Sequence, residues 1–443
     1  MIEFSGAAVR HGPATWGQRA IWRITQWLPP GDPYFNLPWT LAVRGKPGMP
    51  EVEAGLRRLM ERHESLRTTW HDGLTQRVAG EGKLAVELVE AGGERPREVA
   101  ARVAARLAAT GFDYAGELPL RCAIVTVDGR PRVLAFAFSH LAVDAGAMEV
   151  IAREWPLLQT GAPLPPAPQP LELAAYEQSP EGAATGGRAL RHWRTCLDRA
   201  PHTLFGREEP EQGTELSGPG KPEQGAELSG PGTSEQVAGN PERFVKLGMD
   251  SPLCARAATT LAARHGVSTT SVLIAAYVTV LARLTGHRTI ALQFIVGNRH
   301  APMTQGLVAT LVQDGVFVVE TAGDFAATAR AAHAQALTAY RRAHYDPAAQ
   351  QALIAEAGPA PTAYFNDARA FPGWPNLPGS PPPATITELG TWEHVDAQLF
   401  FAVDPATHTC RTSLLADTEH LPRARIEETL RGIETLLVTE ETA

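Results

Sequence analysis

The stretch Phe138-Ser139-His140-Leu141-Ala142-Val143-Asp144-Ala145-Gly146 carries an apolar run into a histidine and, four residues on, an aspartate. Upstream of it, Val133, Ala135, Ala137 and Ser139 fall on one face of a strand and Leu134, Phe136, Phe138 and His140 on the other, because successive strand side chains point to opposite sides. Both faces are mostly apolar, which predicts a central strand, Arg132 to Ser139, covered on both sides. Asp128-Gly129 joins it as a hairpin to a strand from Leu120 to Val127, and a helix runs from Gly146 to about Trp155. A histidine at the end of a rigid strand, beside a loop that leads into a helix, is placed to accept a proton in a cleft. The plainer alternative makes His140 a hydrogen-bonded strand-end residue and Asp144 a helix N-cap. With 14 histidines and 48 acidic residues in the chain, the spacing alone does not choose between them.

Working outward, 443 residues exceed what one hydrophobic core organises, so two domains of roughly 200 residues are expected. A net charge of −8 excludes a sequence-independent nucleic-acid binder, which needs concentrated Lys and Arg. Cys122, Cys196, Cys254 and Cys410 are far apart and at no metal-ligand spacing, and read as reduced core thiols in a cytoplasmic protein. The opening Met1-Ile2-Glu3-Phe4 lacks the basic and apolar regions of a secretory signal. The longest apolar run, Val272 to Ala282, is too short to span a bilayer and reads as a buried helix.

Pro50 opens a helix from Glu51 to Glu64, with Val52, Leu56, Leu59 and Met60 on one face, and a second helix covers Arg97 to Ala109. Residues 1–170 read as a first lobe and 171–206 as a crossover segment. From 207 to 241, Pro210-Glu211-Gln212-Gly213 recurs as Pro222-Glu223-Gln224-Gly225 within a short polar repeat that cannot bury a core, so a disordered insertion is expected there. Residues 242–443 form the second lobe: helices from Ser251 to His265 and Thr269 to Leu284, strands at Thr289 to Val296 and Leu311 to Val319, and a long helix from Asp324 to Arg342 that the proline at 347 stops. Strands mixed with helices in both halves, without a βαβ rhythm, give an α+β fold.

These elements together resemble the condensation domains of nonribosomal peptide synthetases. Ser139-His140 with Asp144-Ala145-Gly146 is similar to that family's H-H-x-x-x-D-G motif. Arg62-His63-Glu64 with Leu66-Arg67-Thr68 is close to its R-H-E-x-L-R-T element, and Gln18-Arg19 with Trp22 resembles its opening element. Ala175-Tyr176-Glu177, Gly297-Asn298-Arg299, His344-Tyr345-Asp346-Pro347 and Tyr364-Phe365-Asn366 resemble later elements in the right order.

The resemblance implies two chloramphenicol-acetyltransferase-like lobes arranged as a V around a tunnel. Through it, peptidyl or acyl carrier proteins would present phosphopantetheine-bound substrates. It implies that His140 serves the amine or hydroxyl nucleophile and that Asp144 is structural and pairs with an arginine, Arg62 by preference and Arg299 otherwise. Ser139 and Gly146 would support the site, and Arg299 and Asn366 would line the tunnel. No bound cofactor or metal is implied; His344 and Asp346 lack a third ligand nearby. The chain is expected to act as a free-standing monomer, away from membranes and nucleic acid, with a silent carrier-binding module and a coenzyme-A-dependent acyltransferase as the alternatives. Ser139 departs from the motif's first histidine, but strand alternation turns it away from the side His140 faces. Ala145 replaces the motif glycine, which a negative φ permits.

Overall fold

Helical periods in some stretches and strand alternation in others sort the chain into mixed layers. The computed structural model describes residues 1–6, 9–26, 28, 29, 31–205, 242–321, 323–369, 373, 374, 377, 379, 381–393, 395 and 397–443. The polar repeat at 207–241 lies outside the described residues. Packing gathers the chain into two units. The first comprises Met1–Arg194, Ile295–Gly315 and Ala339–Glu356, and the second Thr195–Phe294, Val316–Thr338 and Ala357–Ala443. Composition alone marks boundaries at 170, 206 and 242; contacts instead join residues 171–194 and two stretches of the later half to the first unit.

In the first unit, Ile2–Ser5 (β1) and Arg10–Pro13 (β2) precede the helix Trp16–Thr25 (α1). Thr15 caps α1 reciprocally: its Oγ1 accepts from the Gln18 amide, and Gln18 Oε1 accepts from the Thr15 amide. Next come Asn36–Ala42 (β3), Met49–Arg62 (α2), Thr68–His71 (β4), Thr75–Val78 (β5), Glu81–Leu84 (β6), Val86–Glu90 (β7) and Pro96–Ala108 (α3). The expected hairpin is Leu120–Val127 (β8) with Arg130–Ser139 (β9), followed by Ala145–Thr160 (α4), Pro170–Glu177 (α5) and Pro180–Leu197 (α6).

The four-stranded sheet has the order β3-β9-β8-β7, with β9 antiparallel to both neighbours and β7 parallel to β8. As expected, β9 is central and covered on both faces. Leu134, Phe136 and Phe138 pack with Leu56, Leu59, Ile151 and Trp155 of α2 and α4. Val133 and Ala135 pack with Val99, Ala100 and Val103 of α3. Residues at β1, β2, β4, β5 and β6 form a two-stranded and a three-stranded sheet that short, polar sequences did not announce.

In the second unit Phe244–Ser251 (β10) leads to helices Pro252–His265 (α7) and Thr269–Thr285 (α8), then Thr289–Val296 (β11), Gln313–Glu320 (β12) and Phe325–Tyr340 (α9). The helix expected to run to Arg342 and stop at Pro347 ends at Tyr340 instead, and Pro347 is the first residue of Pro347–Ala357 (α10), which belongs to the first unit and where a missing N–H costs nothing. Ala363–Asp367 (β13), Thr385–Trp392 (β14), Leu399–Asp404 (β15), Cys410–Asp417 (β16) and Arg423–Thr442 (α11) complete the chain. Seven strands form a sheet in the order β12-β11-β13-β15-β16-β10-β14. The apolar run Val272 to Ile274 is fully buried within α8, and no single helix among the described residues is long and apolar enough to cross a membrane. All four cysteines are buried.

Candidate active site

His140 follows directly on β9, and its amide donates to the Phe35 carbonyl, extending the β3-β9 pairing by one residue. Its side chain is half-buried, against the ring of Phe35 at 5.9 Å between centroids. Nδ1 lies 2.8 Å from the Val143 carbonyl, which only accepts, so Nδ1 carries the proton and the neutral ring keeps its lone pair on Nε2. The Thr310 hydroxyl stands 3.4 Å from the same Nδ1, and among the described residues Nε2 has no hydrogen-bond partner. Burial pushes the imidazole pKa below its usual value, opposed in part by the Asp144 charge and the Val143 carbonyl. A lowered pKa keeps the ring neutral, and basic at Nε2, around neutral pH. Ser139, one position back, is turned the other way and is 1% exposed, its Oγ accepting from the Leu141 amide.

Asp144 caps α4 and pairs with an arginine at once. Oδ1 accepts from the Ala147 amide at 2.7 Å and from Arg299 Nη2 at 2.5 Å, and Oδ2 accepts from the Leu311 amide at 2.9 Å. At 1% exposure such a carboxylate is tolerated only with this complement of donors. Arg299 is held in turn by the carbonyls of Leu307 (2.6 Å) and Ala309 (2.9 Å). Gly146 is what admits it, since a Cβ at 146 would lie 2.1 Å from Arg299 Nε. Ala145 begins α4 exposed and without a positive φ, so an alanine fits. Gly17 of α1 permits a second close approach: a Cβ there would meet the Thr310 carbonyl at 2.5 Å.

The preference for Arg62 as the partner of Asp144 is corrected. Arg62 donates to Glu154 at 2.8 and 3.1 Å and to the Pro165 carbonyl, while His63 Nε2 sits 2.9 Å from Glu154. Arg62 ends α2 and Glu154 lies in the middle of α4, so this triad clamps the two helices. Burial works to raise the Glu154 pKa, but hydrogen bonds from His63 and Arg62 outweigh it and bring it to about 2. Arg67 is 2% exposed and donates to the Met60 and Ala79 carbonyls. Asn366 belongs to the second unit, on β13, where it pairs with Ala402.

The first unit thus brings together His140, Ser139, Asp144, Gly146 and Arg299. Sequence reasoning missed Leu307, Ala309, Thr310 and Leu311, which act through main-chain groups or a single hydroxyl. The strand expected from Leu311 begins only at Gln313, because the preceding backbone groups are spent on Asp144 and Arg299. The one signal was Asn298, whose φ of +51° and bonds to the Leu311 and Ala343 carbonyls turn the chain there. Among the described residues no three His, Cys, Asp or Glu side chains are placed to hold a metal.

A family model, the condensation domain, matches residues 9–220. That segment of the chain carries the signature of a condensation domain. The chain is 26% identical over 329 residues, 71% of its length, to a linear gramicidin synthase of Brevibacillus parabrevis, and covers 6% of it. It is 26% identical over 352 residues, 74% of its length, to the isonitrile lipopeptide synthase of Mycobacterium tuberculosis, and covers 13% of that protein. The chain spans between 1% and 13% of the length of such curated relatives. Among solved structures, the condensation domain described as mediating chain release from the enacyloxin polyketide synthase superposes with a TM-score of 0.72 at 22% identity, over 98% of this chain and 82% of that one. The chain accordingly has the chloramphenicol-acetyltransferase-like fold of its structural neighbours.

Proposed function

We propose that this chain moves an acyl or aminoacyl group from a carrier-protein thioester to an amine or hydroxyl nucleophile, forming an amide or ester in nonribosomal peptide or related biosynthesis. In this reading it acts in trans, as a cytoplasmic monomer, on substrates borne by phosphopantetheine of carrier proteins, and binds no cofactor of its own. The observation that carries the reading is the 2.8 Å bond from His140 Nδ1 to the Val143 carbonyl. It fixes the tautomer that leaves Nε2 as an unencumbered base.

As the nucleophile attacks the thioester carbon, its proton passes to Nε2; the C–S bond then breaks and the departing thiolate recovers that proton. Two tethered substrates held in line need little further assistance. Asp144 and Arg299 keep the Val143-Asp144 turn, and so the ring, in place. Ser139 does not face the side His140 serves, which supports retained activity despite the missing motif histidine. Chain release by the structurally similar enacyloxin domain supports transfer off a synthase.

The test is mass spectrometry of a panel of loaded carriers and acceptors, with wild type and His140→Ala supplied separately from the carriers. Product is expected with wild type and a large loss with His140→Ala; undiminished product from the variant sinks the reading. Carrier binding without turnover on any pair would favour a silent module, and equal or better turnover of acyl-coenzyme A would replace the carrier as donor.

A further inference from the structure

Three stretches with no role at His140 meet elsewhere in the first unit: Arg19 of α1, Glu177 at the end of α5, and His344 to Asp346 ahead of α10. Arg19, Glu177 and Asp346 line a cleft of about 520 Å³. Ala14, Ala174, Ala183, Leu190 and Trp16 give it small and apolar walls. Gly186 keeps it open, since a Cβ there would meet the Trp16 ring at 3.0 Å.

At the rim Arg19 and Asp346 pair at 3.2 Å and cancel. Glu177, lining the cleft at 4% exposure, is different. Its Oε2 accepts from the Trp16 amide at 2.8 Å, but Oε1 has no hydrogen-bond donor; His344 Nε2 lies 3.3 Å away without hydrogen-bond alignment. His344 cannot serve as the counter-cation near neutral pH, because burial, with His300 nearby, lowers its pKa to about 4. The His344 ring packs on Trp16 at 4.8 Å. A carboxyl with one oxygen unserved, next to an indole and an apolar slot, lacks a single positive charge.

We infer that this cleft binds a small apolar amine, its ammonium paired with the Glu177 carboxylate and set against the Trp16 ring, its hydrocarbon body along Ala14, Ala174 and Leu190. A desolvated carboxylate needs a paired cation, and an ammonium over an indole gains further from the ring's electron density. Burial raises the pKa of Glu177, and of the charged groups around it Arg19 opposes that shift while Asp346 adds to it. No part of this depends on the role of His140.

The experiment is isothermal titration of the full chain with benzylamine and, as its neutral counterpart, benzyl alcohol. Benzylamine should saturate with one site. Benzyl alcohol and the Glu177→Gln variant should each be weaker by about tenfold or more. Should Glu177→Gln fail to fold, Ala349→Leu fills the cleft without touching the carboxyl and should abolish binding with an unchanged melting curve. Absence of saturable benzylamine binding, equal affinity for the alcohol, or full binding by Glu177→Gln or Ala349→Leu would each overturn the inference.

Discussion

Replacing Arg299 by methionine removes the guanidinium from a carboxylate that is 1% exposed and leaves Asp144 with only the Ala147 and Leu311 amides. Breaking a buried pair on one side typically costs about 3–5 kcal/mol. The Arg299 side chain retains 19% exposure, so the lower end, about 3 kcal/mol, is expected. Asp144→Asn should cost slightly less, about 2.5 kcal/mol, because the amide still accepts one hydrogen bond while Arg299 keeps two carbonyl partners. In the double variant neither side is left uncompensated, so the total should be about 4 rather than 5.5 kcal/mol, a coupling of about 1.5 kcal/mol.

Native-state hydrogen exchange at the Ala147 and Leu311 amides reads this loss, since both donate to Asp144. Opening eased by about 3 kcal/mol speeds exchange roughly 150-fold. If the two single variants add within about 0.5 kcal/mol, or if neither amide changes in Arg299→Met, Arg299 and Asp144 are not a coupled pair and the account of the site fails.

Gly146→Ala forces a methyl into the Arg299 side chain and should cost at least about 1–3 kcal/mol, read as accelerated exchange at the same two amides; Ala145→Gly, at an exposed position, should stay within about 1 kcal/mol of wild type. Ser139→His, which restores the family motif, puts an imidazole where a 1%-exposed serine fits; lower thermal stability with no gain in turnover is expected, and a faster enzyme would contradict it. If Nε2 is the base, kcat/KM should fall on the acid side with unit slope and a midpoint below 6.5, since burial lowers the His140 pKa and turnover needs the neutral ring. Because the Asp144 charge raises that pKa, Asp144→Asn should move the acid limb to still lower pH.

Much of this was legible in the sequence because it was local. The alternation from Val133 to His140 fixed the central strand and the side on which the histidine emerges, and Asp144 ahead of α4 read as an N-cap, which it is. What stayed hidden lies in main-chain groups and long-range choices. Either Arg62 or Arg299 satisfies the charge rule for Asp144, and only the folded chain reveals that Glu154 already occupies Arg62. The carbonyls of Leu307 and Ala309 carry no residue-specific signature, so no pattern could point to them. Pro347 illustrates a third kind of miss, since a proline that ends one helix and a proline that begins the next look alike when read alone.

The support of Asp144 by Arg299 and Leu311 bears on how this chain can be recombined with its relatives. The family match ends at residue 220, yet the groups that hold the carboxylate lie at 299 and 311. A chimera joined anywhere between 147 and 298 takes its carboxylate from one parent and that carboxylate's cradle from the other. Crossovers that keep 140–146 and 297–313 from one parent should yield working hybrids more often than crossovers placed by sequence similarity at the end of the matched segment.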